Sequence, residues 1–477
     1  MNKKKNTGLT VVLSVLIAAL IAGSAFMIKL SLDLTDRPSE TREAQVVTLP
    51  TRGESPETTV PPTTVPPTTM PEPEHVVSTF SIGSMGDLLM HKPIFDASQY
   101  RAEVYQNDGT YDFSTIFQYL KEYITPLDFA AVNLETTLAG TDNGYVYDGY
   151  PRFNCPDSIV DGARDAGFDM LLTANNHSYD TTLVGYKRTV ETIREKGLET
   201  LGTYLSEDEQ KWTMEEVNDI KVGLMCYTYA TSNTSDGRPS LNGNMAISEK
   251  GICNYFNPKN LQPFYDEVET YLAEMKEAGA DATIIYLHWG IEYQLEENEE
   301  QRKIAQALCD LGVDVIIGGH PHVVQPIDLL ESSLDPEHKT VILYSMGNAV
   351  SNQRQGFSSR IATAHTEDGI LFTVTFEKYS DGTVYLADVS VLPTWVNKFY
   401  NDNYRDEYNI LPLDYTKVDQ WPELFGIGET TYEAAKKSYQ RTMDIVGEGL
   451  QEVRDYLAAE KSQRDVDYLT QAMGNAA

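Results

Sequence analysis

Three stretches of this chain repeat one pattern: an amphipathic helical segment, a glycine, an apolar residue, an aspartate and then an apolar run. They are Ala166-Gly167-Phe168-Asp169 before Met170–Ala174, Ala278-Gly279-Ala280-Asp281 before Thr283–Leu287, and Leu311-Gly312-Val313-Asp314 before Val315–Ile317. A glycine just past a helix end supplies the left-handed backbone that a Cβ penalises. Helical segments alternating with short apolar runs are the mark of an α/β sheet, so the chain from Val76 onward is predicted to have that architecture. Asp169, Asp281 and Asp314 recur at one place in the pattern and read as turn residues rather than catalysts.

Six apolar runs end at a polar cluster. Phe80–Met85 leads into Gly86-Asp87 and His91, Phe129–Val132 into Asn133-Leu134-Glu135, and Met170–Ala174 into Asn175-Asn176-His177 and Asp180. Ile284–Leu287 leads into His288-Trp289-Gly290 with Glu292, Val315–Ile317 into Gly318-Gly319-His320-Pro321-His322, and Val341–Met346 into Gly347-Asn348. Open α/β sheets bind ligands beyond the carboxyl ends of their strands, so the clusters are predicted to converge on one edge.

Five of the eight histidines fall in these clusters. A lone histidine is more often an ordinary core or loop residue, but His177, His288, His320 and His322 together with an asparagine and carboxylates form a set. Mixed nitrogen and oxygen donors suit Mn, Fe or Zn better than Mg or Ca, which prefer oxygen alone. One or two divalent transition-metal ions are therefore expected.

Charge points the same way. With 37 basic against 71 acidic residues the formal charge is −34, which repels nucleic acid and excludes it as a partner. An anionic substrate would need local cations, either metal or clustered Arg and Lys. Arg152, beside Pro151, and Lys92 are the basic residues nearest the clusters and are candidate substrate contacts, as is Asn348. Cys155, Cys226, Cys253 and Cys309 lack zinc-finger spacing and read as buried thiols, with a Cys155–Cys253 disulfide as the alternative.

At the amino end, Lys3, Lys4 and Lys5 precede an uncharged apolar run, Leu9–Met27, long enough to cross a bilayer. Its small-residue exit, Ala22–Ser24, lies inside the run, which favours an uncleaved anchor over a signal peptide. The lysines place the amino terminus in the cytoplasm and the rest outside. The expected order is a tail over 1–8, an anchor over 9–30, a Thr/Pro stalk over 31–75, a main domain over 76–394 and a helical extension over 395–477. The stalk repeats Val-Pro-Pro-Thr-Thr at Val60–Thr64 and Val65–Thr69, a polyproline II composition that builds no core. Thr430–Ala472 reads as one or two amphipathic helices, with Tyr432, Ala435, Tyr439, Met443 and Ile445 apolar.

The phrases Gly-Asp-Leu-Leu-Met-His (Gly86–His91), Asn-Leu-Glu (Asn133–Glu135), Ala-Asn-Asn-His-Ser-Tyr-Asp (Ala174–Asp180), His-Trp-Gly-Ile-Glu-Tyr (His288–Tyr293), Gly-His-Pro-His-Val-Val-Gln (Gly319–Gln325) and Tyr-Ser-Met-Gly-Asn (Tyr344–Asn348) occur in this order. As an ordered set spanning about Phe80 to Leu392, they resemble the CapA family of poly-γ-glutamate capsule-synthesis proteins. That family is in turn similar to calcineurin-like metallophosphoesterases. The likeness implies a four-layer αββα sandwich around a two-metal centre. It implies Asp87 on the first metal and Asn176 on the second, with His288, His320 and His322 completing the shell and His177 as proton donor. Asp180 and Glu292 are expected to orient His177 and His288.

Two departures from the phosphoesterase pattern stand out. His91 follows Asp87 by four residues rather than two, and Asn133-Leu134-Glu135 replaces the bridging-aspartate motif. Glu135 takes the bridging role in this reading, while His91 is open between metal ligand, support for a ligand, and catalytic or substrate contact. The resemblance implies an extracytoplasmic protein of poly-γ-glutamate or other envelope-polymer assembly, working with membrane synthase subunits. Two alternatives are a secreted metal-dependent phosphohydrolase without a polymer role and a non-catalytic scaffold that binds polymer or synthase.

Overall fold

The computed structural model describes residues 75–105, 110–234, 238–242, 245–246, 252–401 and 405–474. The expected tail and membrane span, and the stalk up to residue 74, lie outside the described residues. Among the described residues no helix is long and apolar enough to cross a membrane.

Two sheets form the body. The first runs Asp406–Pro412, Val384–Tyr400, Asp368–Tyr379, Val76–Leu88, Phe129–Leu134, Met170–Leu172, Glu199–Leu201, with Asn348–Val350 added parallel to the end of Val76–Leu88. From Val76–Leu88 onward this sheet is parallel, and its other three strands are antiparallel. The second runs Tyr255–Phe256, Ile220–Tyr229, Ala282–His288, Val315–Gly319, Lys339–Leu343, Ile327–Glu331, parallel except for the last strand, and Thr213–Val217 pairs with Ile220–Tyr229.

The repeated Gly-x-Asp pattern is what starts the parallel strands in register. Gly167, Gly279 and Gly312 sit at φ 107°, 89° and 90°, the left-handed region expected after a helix. Each aspartate then accepts a backbone N–H from the neighbouring strand: Asp169 from Ala130, Asp281 from Lys221 and Asp314 from Thr283, all at 2.8 Å. The three carboxylates thus pin adjacent strands together, which is the turn role their position predicts.

Strand side chains alternate between two apolar surroundings. Ile284 and Tyr286 face the other sheet, meeting Phe80, Ile82, Ala131 and Met170. Ile285 and Leu287 point outward onto Phe264 and Val268 of the helix Gln262–Glu277 and onto Ile304 and Leu308 of the helix Glu299–Asp310. Val132 and Leu171 of the first sheet likewise pack outward on Ile159, Val160 and Ala163 of the helix Ser158–Ala166. Burial on both faces explains why these strands read as unbroken apolar runs. The result is an α/β sandwich of two facing sheets with helices on their outer sides.

Residues after 394 do not begin as a helical extension. The strand Val384–Tyr400 runs through that point and Asp406–Pro412 pairs with it, so the sheet outlasts the polar motifs used to bound the domain. Beyond it, Glu429–Gly474 is a single helix. Its core stripe continues past Met443 and Ile445 to Val446, Leu450, Val453 and Leu457, which join the core between the sheets. All four cysteines are buried and unpaired, so the Cys155–Cys253 disulfide does not form.

Candidate metal centre

Strand ends deliver the polar clusters to one place. Asp87 and His288 are the penultimate and last residues of their strands, Glu135 follows Leu134, and His320 and His322 follow Gly319. His320 and His322 hold φ of 96° and 57°, backbone strain that aims two imidazoles from one short loop.

Glu135 is the hub. It is fully buried and neither of its carboxylate oxygens has a hydrogen bond. Around it stand two groups of buried donors, each close enough to hold a metal ion: Asp87, Glu135 and His322, and Glu135, His288 and His320. His288 Nε2 lies 3.5 Å from Glu135 Oε1 and 2.8 Å from Asn176 Oδ1. His322 Nδ1 lies 3.0 Å from Asp87 Oδ2 and 3.8 Å from Glu135 Oε2. His320 Nδ1 is buried without a partner, while its Nε2 meets the Tyr229 hydroxyl at 3.0 Å. A shared carboxylate, an asparagine oxygen and three imidazoles fit a divalent transition metal, and the orphaned atoms of Glu135 and His320 mark where it would bind.

The electrostatics carry the same imprint. Burial opposes ionisation of Asp87, but His322, His288 and the Asn133 amide at 2.7 Å outweigh it and hold the carboxyl below its usual range. Burial likewise disfavours a charged His322, yet Glu135 and Asp87 push its pKa up to about 9. His320, buried beside His288 and His322, is driven far the other way.

A cavity of about 500 Å³ opens beside the centre, lined among others by His91, Phe153, His177, Tyr293 and His322. His177 Nδ1 meets Asp180 Oδ2 at 2.7 Å. That carboxylate also accepts from the Phe153 N–H at 2.7 Å and, through Oδ1, from Asn242 Nδ2 at 2.7 Å. Burial opposes the His177 charge, but Asp180 and Glu135 raise its pKa above the usual value.

Residues 81–353 match the family model described as bacterial capsule synthesis protein PGA_cap. The chain belongs to this family. Among its relatives, it is 27% identical over 275 residues to the PGA biosynthesis protein CapA of Bacillus subtilis (strain 168), covering 57% of this chain and 63% of that protein. It is 26% identical over 272 residues to the capsule biosynthesis protein CapA of Bacillus anthracis, covering 56% of this chain and 59% of that protein. The match therefore spans less than two thirds of either relative's length. All six motifs lie inside the stretch matched to the capsule synthesis family.

The structure gathers Asp87, Glu135, Asn176, His288, His320 and His322 around one point, and sets His177 with Asp180 at the cavity wall. His91 also lines the cavity but joins neither donor group. Its ring packs edge-on against Phe153, with centroids 5.4 Å apart, and burial followed by the His322 charge lowers its pKa to about 4. The other candidates are placed differently. Arg152 is exposed and lies outside the cavity lining. Lys92 reaches the cavity, but its ammonium is paired with Asp96 at 2.5 Å. Asn348 is fully buried, donating to the Thr366 and His322 carbonyls at 2.9 and 3.2 Å, so it braces the loops and does not line the cavity. Glu292 pairs with Arg360 at 2.8 Å rather than orienting His288.

Three participants escaped the sequence reading. Tyr229 closes an apolar run, Ile220–Tyr229, whose carboxyl end was legible but carries no acid or histidine. Arg360 stands in the loop after Gly347-Asn348, where a basic residue was findable. Asn242 reaches Asp180 from a distant loop, and no local pattern announces it.

Proposed function

We propose that this protein is an envelope-facing component of poly-γ-glutamate or related capsule-polymer assembly that works through a two-ion, metallophosphoesterase-like site. The observation carrying this reading is Glu135. Both of its carboxylate oxygens are buried without a hydrogen bond, and a buried acceptor left unsatisfied costs about 1–3 kcal/mol. Cations held by the two donor groups sharing it would offset that cost. Asp87, Glu135 and His322 would hold one ion, and Glu135, Asn176, His288 and His320 the other, with Mn, Fe or Zn favoured by the donor mixture.

Ions bound there supply electrophilic activation of a phosphoryl or acyl group and of attacking water. The chain's own residues do the rest. Asp180 fixes the His177 ring through Nδ1, leaving Nε2 to deliver a proton to a leaving group in the cavity. Phe153, between the His91 and His177 rings, keeps that part of the wall apolar.

The polymer role rests on the relatives, named for PGA and capsule biosynthesis. Envelope placement rests on Lys3–Lys5 and the Leu9–Met27 run, which would anchor the main domain outside the cytoplasm beside a membrane synthase. The test is metal analysis of the purified protein followed by a panel of phosphomonoesters, phosphodiesters and γ-glutamyl peptides. One or two metal equivalents with turnover of γ-glutamyl chains is the expected result. Phosphoester turnover alone would make it a phosphohydrolase without a polymer role. Metal-free protein that gains no thermal stability from Mn, Fe or Zn would favour a scaffold.

A further inference from the structure

The cavity beside the metal centre has a volume typical of small-molecule sites, which span roughly 300–1,000 Å³. It belongs to a protein of formal charge −34, whose field repels any anionic ligand. Besides His91, His177 and His322, its lining has one lysine and one arginine, Lys92 and Arg360. The Lys92 ammonium is engaged by Asp96 of its own helix at 2.5 Å.

Arg360 is placed differently. Its Nη1 meets Glu292 Oε2 at 2.8 Å, with the arginine side chain 63% exposed. It makes no side-chain hydrogen bond to any other group among the described residues. The guanidinium lies over the Tyr293 ring, 5.1 Å from its centroid. That ring is itself held, since its hydroxyl accepts from Gln353 Nε2 at 3.1 Å and its centroid is 6.2 Å from that of His322. One aromatic side chain therefore separates the guanidinium from the donor cluster.

We propose that Arg360 is the residue by which this cavity recognises an anionic group, a carboxylate or a phosphate, exchanging Glu292 for the ligand. An ion pair this exposed contributes little to stability, so exchanging it costs little. A guanidinium offers carboxylate or phosphate two parallel N–H donors, and stacking on Tyr293 fixes its plane before the ligand arrives. Glu292 acts as a stand-in that keeps the site paired while empty. Arg360 lies beyond residues 81–353, so this contact is outside the stretch matched to the family. The inference rests on reading the cavity as the substrate site.

Calorimetric titration of the full chain in detergent, with Mn present, tests it using two probes, a γ-glutamyl trimer and inorganic phosphate. At least one should bind. Arg360→Ala should weaken that probe about ten- to hundredfold, the span of a charge-assisted hydrogen-bond pair. Arg360→Lys should recover part of the loss, and Glu292→Gln should tighten binding severalfold. Weakening confined to the trimer identifies a carboxylate site, and weakening confined to phosphate a phosphate site. A probe that binds wild type and Arg360→Ala equally overturns the proposal while leaving the metal reading intact. Glu292→Gln binding no tighter than wild type overturns the exchange. Binding of neither probe to metal-bearing wild type overturns the substrate reading of the cavity, and this proposal with it.

Discussion

His177 Nδ1 and the Asp180 carboxylate stand 2.7 Å apart, both buried. Burial alone would strip His177 of its proton, and Asp180 is the first interaction restoring it. The proton-donating form is the imidazolium, so activity through it is present below the raised pKa and lost as pH rises through it. Asp180→Asn should move the alkaline limb of kcat/KM to lower pH. His177→Ala should lower the rate by about 10²–10⁴ while leaving metal content intact. An alkaline limb unmoved in Asp180→Asn would remove this pairing from the mechanism.

Glu135 serves both donor groups, whereas His320 and His322 serve one each. Glu135→Gln should therefore cost both ions, and the His320→Ala/His322→Ala double variant most of the bound metal. Chelation should lower the thermal midpoint of the wild type. A ligand present at 100 times its Kd adds about 2.7 kcal/mol of stability, and Glu135→Gln should forfeit it. Elemental analysis and melting curves with and without chelator decide the matter; a Glu135→Gln protein that keeps both ions would contradict a shared carboxylate.

The parallel half of the fold was legible because its rules are local. Gly167, Gly279 and Gly312 announce helix ends, and the aspartates two residues later announce strand starts. The donor cluster was legible because it rides on strand ends, and parallel strands bring their ends together. The antiparallel strands Asp368–Tyr379, Val384–Tyr400 and Asp406–Pro412 carry no such punctuation, and the 394 boundary fell inside one of them. Arg152 and Asn348 lie outside the cavity lining for another reason. Sequence nearness to a motif does not say whether a side chain faces the cavity, the solvent or the backbone behind the loop.

Arg441 secures the C-terminal helix beside the site. Its Nε and Nη2 donate to Asp368 at 2.7 and 2.6 Å, and Ser438 adds a third bond at 2.6 Å. Asp368 is buried, and burial raises its carboxyl to about 6 against the pull of Arg441. Removing the guanidinium leaves Asp368 with Ser438 as its partner, and an acid already near 6 can answer by taking up a proton, so Arg441→Ala should destabilise by about 1–2 kcal/mol at neutral pH, read from urea unfolding. The folded pKa exceeds the unfolded value near 3.8, so protonation of Asp368 favours the folded state. This contribution is full below about 4 and lost as pH rises through 6. Asp368→Asn should flatten the stability curve over that window; an unchanged slope would assign it to other groups.

Gly319 offers the sharpest test of how tightly the centre is built. A Cβ there would lie 3.2 Å from Asp87 Oδ1 and 3.8 Å from His288 Nδ1, with no backbone atom within 4 Å to obstruct it. The only thing that must yield is Asp87, which cannot yield freely because Asn133 Nδ2 holds it at 2.7 Å and His322 Nδ1 at 3.0 Å. Gly319→Ala should thus leave the fold intact and shift one carboxylate by a few tenths of an ångström. Disturbing what orients a metal ligand typically lowers affinity about 10–100-fold, and that loss is expected here. Gly428→Ala, where a Cβ meets nothing within 4 Å, is the control and should bind metal as the wild type does. Competition titration with a chromogenic chelator would measure both. Equal affinities would mean that Asp87 has room to move, and that the donors are less fixed than their hydrogen bonds imply.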